Sequence, residues 1–251
     1  MNQAAVSIGP VFIVVLAALV LLAVAAALVG RLGVSRAVVS ASLRAVVELA
    51  VVSFLIAAVL RFWWATAAFI TLMVLVAAAT SARRIGSCSL ARFTILPIMA
   101  GALPAGVLIV AAGTVPMAEV AVLPIAGILI GGAMTATSLS GRRALDELHH
   151  RFGEYEAALA LGFLPREAAL EVCRPTAGQA LVPALDQTRT VGLVTLPGAF
   201  VGVLLGGGSA VQAGATQLMV LVALLAVEAI AVAVTIELVA GGSLRRSGAS
   251  A

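Results

Sequence analysis

The chain has 251 residues, of which 63% are hydrophobic and only 10% are charged, and its mean hydropathy is +1.19. This composition excludes a soluble domain and indicates helices that cross a membrane, since roughly 30 Å of hydrocarbon requires an apolar run of about 20 residues. All 15 basic residues are arginines, so the chain lacks both the lysine of a Walker A phosphate loop and a lysine that could bind retinal.

Seven apolar runs predict an all-α, polytopic protein that forms one transmembrane domain over residues 1–251. The predicted helices cover residues 8–29, 37–60, 62–82, 94–113, 119–141, 190–207 and 214–240. The arginines outside the predicted helices fall on one side of the membrane, including Arg245 and Arg246 in the tail. Arg61 is the exception and falls on the opposite side. The positive-inside rule therefore predicts a plasma (inner) membrane protein with its N-terminus outside and its C-terminus in the cytoplasm. The isoelectric point near 10.4 then reflects cytoplasmic loops and not a nucleic-acid partner.

Two of the predicted helices carry acidic residues near their middle. Glu48 follows Arg44 by four positions, so the two side chains share a helix face and can pair. Glu228 has no such neighbour, and an ionised side chain at the bilayer midplane costs several kcal/mol unless it faces protein or water. We predict that Arg44, Glu48 and Glu228 line a path across the membrane. A neutral Glu228 that is hydrogen-bonded between helices is an equally good interpretation.

Glycine and proline interrupt two of the later helices. In the fifth, the segment 123–134 includes Gly127, Gly131 and Met134, which we assign to the same path, although plain helix packing explains the glycines about as well. In the sixth, Pro197 and Gly198 predict a broken helix that serves as a hinge.

The longest polar segment of the chain, about residues 142–189, predicts a cytoplasmic loop. An apolar stripe at spacings of three and four residues predicts a helix through Leu145, Leu148, Phe152, Tyr155 and Leu159. Gly162 can end this helix and Pro165 suits the first turn of the next, which we expect to be a helix of barely two turns from residue 166 to residue 173. Such a short, exposed helix is well suited to docking a partner, although an ordinary amphipathic loop would show the same stripe.

Residues 156–175, EAALALGFLPREAALEVCRP, have the spacing of a known motif. They resemble the EAA loop of ABC-transporter permeases, E-A-A-x3-G-x9-I-x-L-P, with Arg174 where the consensus has leucine. In those permeases the loop grips the ATPase subunit. The resemblance implies an ATPase-coupling site that is made of Glu156, Ala157, Ala158, Gly162, Pro165, Arg166 and Glu167.

Nearly the whole chain resembles the FetB/YbbM family of permeases, which includes bacterial metal-export subunits and plant aluminium-tolerance relatives. The matching motifs are LPIAGILIGGAM, EAALALG, ALVPALDQTRTVGLVTLPGAFVG and AVQAGATQ. The chain departs from the family at Glu48, Gly132, Ala199 and Phe200. The resemblance implies a permease that exports iron or another metal ion in a complex of two permeases and two separate ATPase subunits, which bind the ATP. It implies no cofactor and no catalytic residue on this chain.

Two other functions stay open. One is an ABC permease for a different substrate, such as a nucleotide sugar. The other is an ion-coupled secondary transporter that uses Glu48 and Glu228, with Glu237 as a further acidic residue in a predicted membrane helix. The residues indicate no particular metal ligand, since adjacent His149 and His150 point about 100° apart on a helix and cannot easily share one ion.

Overall fold

The computed structural model describes residues 9–86 and 91–245, so Ile8 and Arg246 of the predicted elements lie outside the described residues. The chain divides into two compact units, Met1–Phe62 and Trp63–Ala251. Within these described residues, six helices are long and apolar enough to cross a membrane, which confirms an all-α, multi-pass membrane protein.

The first unit consists of two such helices that pack against each other, α1 (Pro10–Val29) and α2 (Ser35–Val59). Pro10 occupies the first turn of α1, where its missing N–H group costs nothing. The connection turns sharply, with Arg31 at φ 50° and Gly33 at φ 70°. Both helices lie where the apolar runs predicted them.

The second unit contains eight α-helices in the described part of the chain. In order they are α3 (Trp63–Ile85), α4 (Ala91–Ala111), α5 (Glu119–His150), α6 (Phe152–Ala160), α7 (Pro165–Ala177), α8 (Val182–Thr190), α9 (Gly198–Leu205) and α10 (Ala210–Ala240). A short 3-10 turn, Gly178–Leu181, joins α7 to α8.

Helices α3, α4, α5 and α10 form the core of this unit. Small residues let them approach closely, and Ala82, Ala133, Ala136 and Ala231 are fully buried. At Gly101 a side chain is excluded, since a Cβ atom there would lie 2.5 Å from the carbonyl oxygen of Val227 in α10. The core is therefore tightly packed on the face of α10 that carries residue 227.

Helices α5 and α10 run in the same direction. Gly132 of α5 lies beside Leu224 and Glu228 of α10, and nine residues later Gly141 lies beside Thr235. The chain leaves α5 at the end of the bundle where α10 finishes, so residues between α7 and α10 must bring it back to the other end. The segment that contains α8 and α9 makes this return.

The single helix predicted over residues 190–207 is wrong. Only the eight residues of α9 are helical there, which is about 12 Å of helix and too short to cross the hydrocarbon alone. Gly192 has φ 93° and its N–H donates to the carbonyl of Thr195 at 2.9 Å, so a tight turn separates α8 from α9. Pro197 then precedes α9 in an extended conformation. The predicted break at residues 197–198 is thus a complete interruption of the helix.

The predicted loop at residues 142–189 is largely helical. Helix α5 does not stop near residue 141 but continues to His150, because Leu145 and Leu148 extend its apolar stripe against the core. The helix predicted from this stripe breaks at Arg151, whose φ of −108° and ψ of 32° are not helical, so Phe152 and Tyr155 belong to α6.

Candidate functional site

The residues predicted to couple to an ATPase lie together on α6, α7 and the turn between them. Glu156, Ala157 and Ala158 are on α6, Gly162 is in the turn, and α7 begins with Pro165, Arg166 and Glu167. This part of the chain follows α5 beyond the predicted membrane span and packs against the ends of α5 and α10.

Gly162 fixes the turn between the two helices. Its φ of 92° is left-handed, which confirms that it ends α6. The N–H of Gly162 donates to the carbonyl of Leu159 at 2.9 Å, and the N–H of Phe163 donates to that of Ala158 at 3.1 Å. These two bonds form a Schellman motif, which satisfies carbonyl groups that a helix end would otherwise leave free.

Helix α7 is longer than the sequence predicted. It runs through Pro175 to Ala177 instead of ending before the proline. Pro175 lies in the last turn, where one helical hydrogen bond is lost, while Leu170, Cys173 and Ala177 are buried in the core of the second unit. Their burial explains why the helix continues past the proline.

Two contacts hold α7 to the end of α5. The Cys173 thiol donates to the carbonyl of Ala144 at 3.5 Å, and burial raises the pKa of this thiol to about 11. The guanidinium of Arg151 donates to the carbonyl of Val172 at 3.2 Å and also to the Glu154 carboxylate. The hydrogen bond from Arg151 lowers the pKa of Glu154 and raises that of Arg151 itself.

The outer side of α6 and α7 exposes apolar side chains. Leu161 is 80% exposed and Leu164 is 64% exposed, and Phe163 between them is also exposed. Charged Arg166 and Glu167 follow directly. We refer to these residues, Leu161, Phe163, Leu164, Arg166 and Glu167, as the α6–α7 surface.

Glu237 near the end of α10 pairs with two arginines of α7. The Nη2 atom of Arg166 lies 2.5 Å from its Oε2 atom, and the Nη2 atom of Arg174 lies 4.0 Å from its Oε1 atom. The resemblance to the EAA loop implied a coupling role for Arg166, but the sequence did not predict these pairs, because no local pattern connects residues so far apart in the chain. Glu237 therefore has protein partners and is not an isolated carboxylate.

Glu228 lies inside the bundle and is 91% buried. It faces Gly132, where a Cβ atom would come within 3.1 Å of its Oε1 atom. Within residues 9–86 and 91–245 the Glu228 carboxylate has no ion-pair or hydrogen-bond partner. Among the described residues, the Oγ1 atom of Thr137 in α5 and the Oε1 atom of Gln217 in α10 are fully buried and lack a hydrogen-bond partner within the protein.

The other residues assigned to a path are spread over several elements. Gly127 lies beside Met73 of α3, the surroundings of Gly131 are open, and the carbonyl of Met134 accepts hydrogen bonds from Ser81 and Ser138. Pro197 and Gly198 are at the start of α9.

In the first unit, the Nε atom of Arg44 donates to Oε1 of Glu48 at 2.5 Å, which confirms the predicted pair.

No group of three or more His, Cys, Asp or Glu side chains that could hold a metal ion occurs among the described residues. His149 and His150 have ring centroids 5.6 Å apart in an edge-to-face arrangement.

Residues 11–242 match a family described as an uncharacterised protein family, UPF0014. The chain is 34% identical to rice "UPF0014 membrane protein STAR2" over 209 residues, which is 81% of this chain and 73% of that protein. It is 37% identical to Arabidopsis thaliana "Protein ALUMINUM SENSITIVE 3" over 50% of this chain and 46% of the relative. It is 34% identical to Escherichia coli "Probable iron export permease protein FetB" over 45% of this chain and 43% of the relative. No solved structure matches the chain.

Proposed function

Because the chain belongs to the UPF0014 family of membrane proteins, we propose that it is the transmembrane permease subunit of an ABC transporter that exports iron or another metal ion. Two copies of the permease would work with two copies of a separate ATPase subunit, which binds and hydrolyses the ATP. The observation that carries this proposal is the α6–α7 surface.

The α6–α7 surface has the character of a docking site. Leu161, Phe163 and Leu164 are exposed beyond the predicted membrane span, where apolar side chains gain nothing from lipid. A cluster of exposed apolar side chains with charged neighbours is typical of a protein interface. The buried face of α7 and the fixed turn at Gly162 keep this surface rigid, so docking requires little ordering of the chain.

The proposed cargo is a cation, and Glu228 is its proposed contact in the bundle. A buried carboxylate without a protein partner is costly unless a positive charge or a proton neutralises it. The name of the Escherichia coli relative, "Probable iron export permease protein FetB", supports a metal ion as the cargo.

The proposed orientation puts the α6–α7 surface in the cytoplasm, where ATP is available. The arginine distribution supports this orientation. A reporter inserted near Thr114, between α4 and α5, should report the outside, and one fused after Arg246 should report the cytoplasm. The same side for both reporters would contradict the orientation.

Co-purification with the ATPase tests the proposal most directly. Leu161→Ser with Leu164→Ser should release the ATPase and abolish Fe²⁺ export from cells, because both changes remove apolar contact area. Met117→Ser is a matched control, since Met117 is 76% exposed but lies between α4 and α5. Metal export that needs no ATPase would instead favour an ion-coupled secondary transporter.

A further inference from the structure

We propose that Glu237 is a positioning residue that makes α10 follow the movement of α7. This inference rests on the proposed function, since α7 moves only if an ATPase acts on the α6–α7 surface. Glu237 does not touch the cargo in this proposal. It connects the helix that receives the movement to the helix that carries Glu228.

Ion pairs at Glu237 connect α10 to α7. Arg166 approaches one oxygen of the carboxylate and Arg174 approaches the other. The two arginines are eight positions apart, or about 12 Å along α7, so the carboxylate lies between them, with a close contact to Arg166 and a longer one of 4.0 Å to Arg174. By contrast, the ion pair between Asp186 and Arg189 lies within one turn of α8 and cannot transmit movement between helices.

The position of Glu237 suits this role. It follows the start of α10 by 27 residues, or about 40 Å of helix, which exceeds the roughly 30 Å of hydrocarbon. Glu237 therefore lies at the end of α10 that emerges from the membrane, where its side chain is 43% exposed. A charged pair can form and break there without the cost of burial in lipid.

Helix α10 can carry the movement to Glu228. It contains no proline between Ala210 and Ala240, so it moves as one rod. Glu228 precedes Glu237 by nine residues, which is two and a half turns and about 14 Å. The two carboxylates therefore project from opposite sides of α10. When α7 moves Glu237, the whole of α10 moves with it, and Glu228 shifts relative to α5.

Space beside the contact would allow such a displacement. A groove of about 590 Å³ lies next to Glu237 and Arg174. Its other walls come from α4 through Leu96, from α7 through Leu170, and from the apolar side of α10. On the face of α10 that carries Val227, by contrast, α4 excludes even a Cβ atom and leaves no such space.

Glu237→Gln tests the inference in the full permease–ATPase complex, because it removes the charge and keeps the shape. We expect the variant to retain the ATPase but to lose Fe²⁺ export by well over fivefold, whereas ATP hydrolysis continues. An exposed ion pair with only a structural role changes an equilibrium by no more than about fivefold. Glu237→Asp keeps the charge and should recover part of the export. Asp186→Asn breaks an exposed pair of similar kind and should behave as the wild type.

A second comparison asks whether Glu237 acts through its partners. Arg174→Gln should reduce export in the wild type but should cost nothing further in the Glu237→Gln background, because the contact is already lost. Independent, additive losses would overturn the inference, as would wild-type export by Glu237→Gln with the ATPase retained. Loss of the ATPase from Glu237→Gln would overturn it as well. Failure of the wild type to bind any ATPase would instead overturn the proposed function itself.

Discussion

Gly162→Val should weaken docking of the ATPase while leaving the membrane helices folded. Gly162 has φ 92°, a conformation that costs an L-residue roughly 1–2 kcal/mol, and a β-branched side chain resists it further. No neighbouring atom lies within 4 Å of a Cβ atom at this position, so the effect comes from the backbone and not from a steric clash. A penalty of this size corresponds to a shift of about 5–30-fold in the population of the native turn.

If the turn relaxes, α6 loses the two bonds of its Schellman motif, and Leu161 and Leu164 no longer share one surface. The expected result is a dissociation constant for the ATPase that rises by up to about 30-fold, measured with purified permease in lipid nanodiscs. Gly153→Ala is a matched control. Gly153 lies within α6, also has open surroundings and has no positive φ, so alanine should be tolerated there. Wild-type affinity in Gly162→Val would refute the role of this turn in docking.

Three further predictions concern other parts of the second unit. The Cys173 thiol should resist iodoacetamide at pH 8 in the folded protein and react after denaturation in detergent, because a pKa of about 11 leaves about one thiol in a thousand ionised. Mass spectrometry of the peptide that contains Cys173 separates its labelling from that of Cys88, and rapid labelling of this peptide in the folded protein would contradict the burial of Cys173. Replacing Pro197 and Gly198 with alanine should make the start of α9 more regularly helical and slow transport, and an unchanged turnover would show that the break is only a packing detail. Glu228→Gln keeps the shape of the side chain but removes its charge, so it should abolish export of a metal cation; undiminished export would make Glu228 a structural residue.

The sequence predicted best those structural features that depend on residues close together in the chain. The hydrocarbon thickness determines the length of a crossing helix, so the six long helices occur where the apolar runs indicated. The left-handed turn at Gly162 and the pair of Arg44 with Glu48 are also local, since each involves residues within one helix turn or one connection.

What the sequence could not predict depends on packing between distant segments. The extension of α5 to His150 and the continuation of α7 through Pro175 both follow from burial against other helices. The pairs from Arg166 and Arg174 to Glu237 form only because α7 packs on the end of α10. The apolar run over residues 190–207 predicted a spanning helix with a break at Pro197 and Gly198, but the run did not predict the turn at Gly192, which leaves only Gly198–Leu205 helical.

The length of α5 determines how far from the bilayer a partner would sit. Its 32 residues measure about 48 Å, so roughly 18 Å of helix remains after the hydrocarbon has been crossed. The lipid headgroups occupy only about 5–8 Å of that distance on each side. When α5 begins at one edge of the hydrocarbon, its other end at His150 thus extends past the headgroup layer, and α7 folds back beside it, since Cys173 contacts Ala144. A bulky globular protein can therefore approach α6, which follows His150, without displacing lipid.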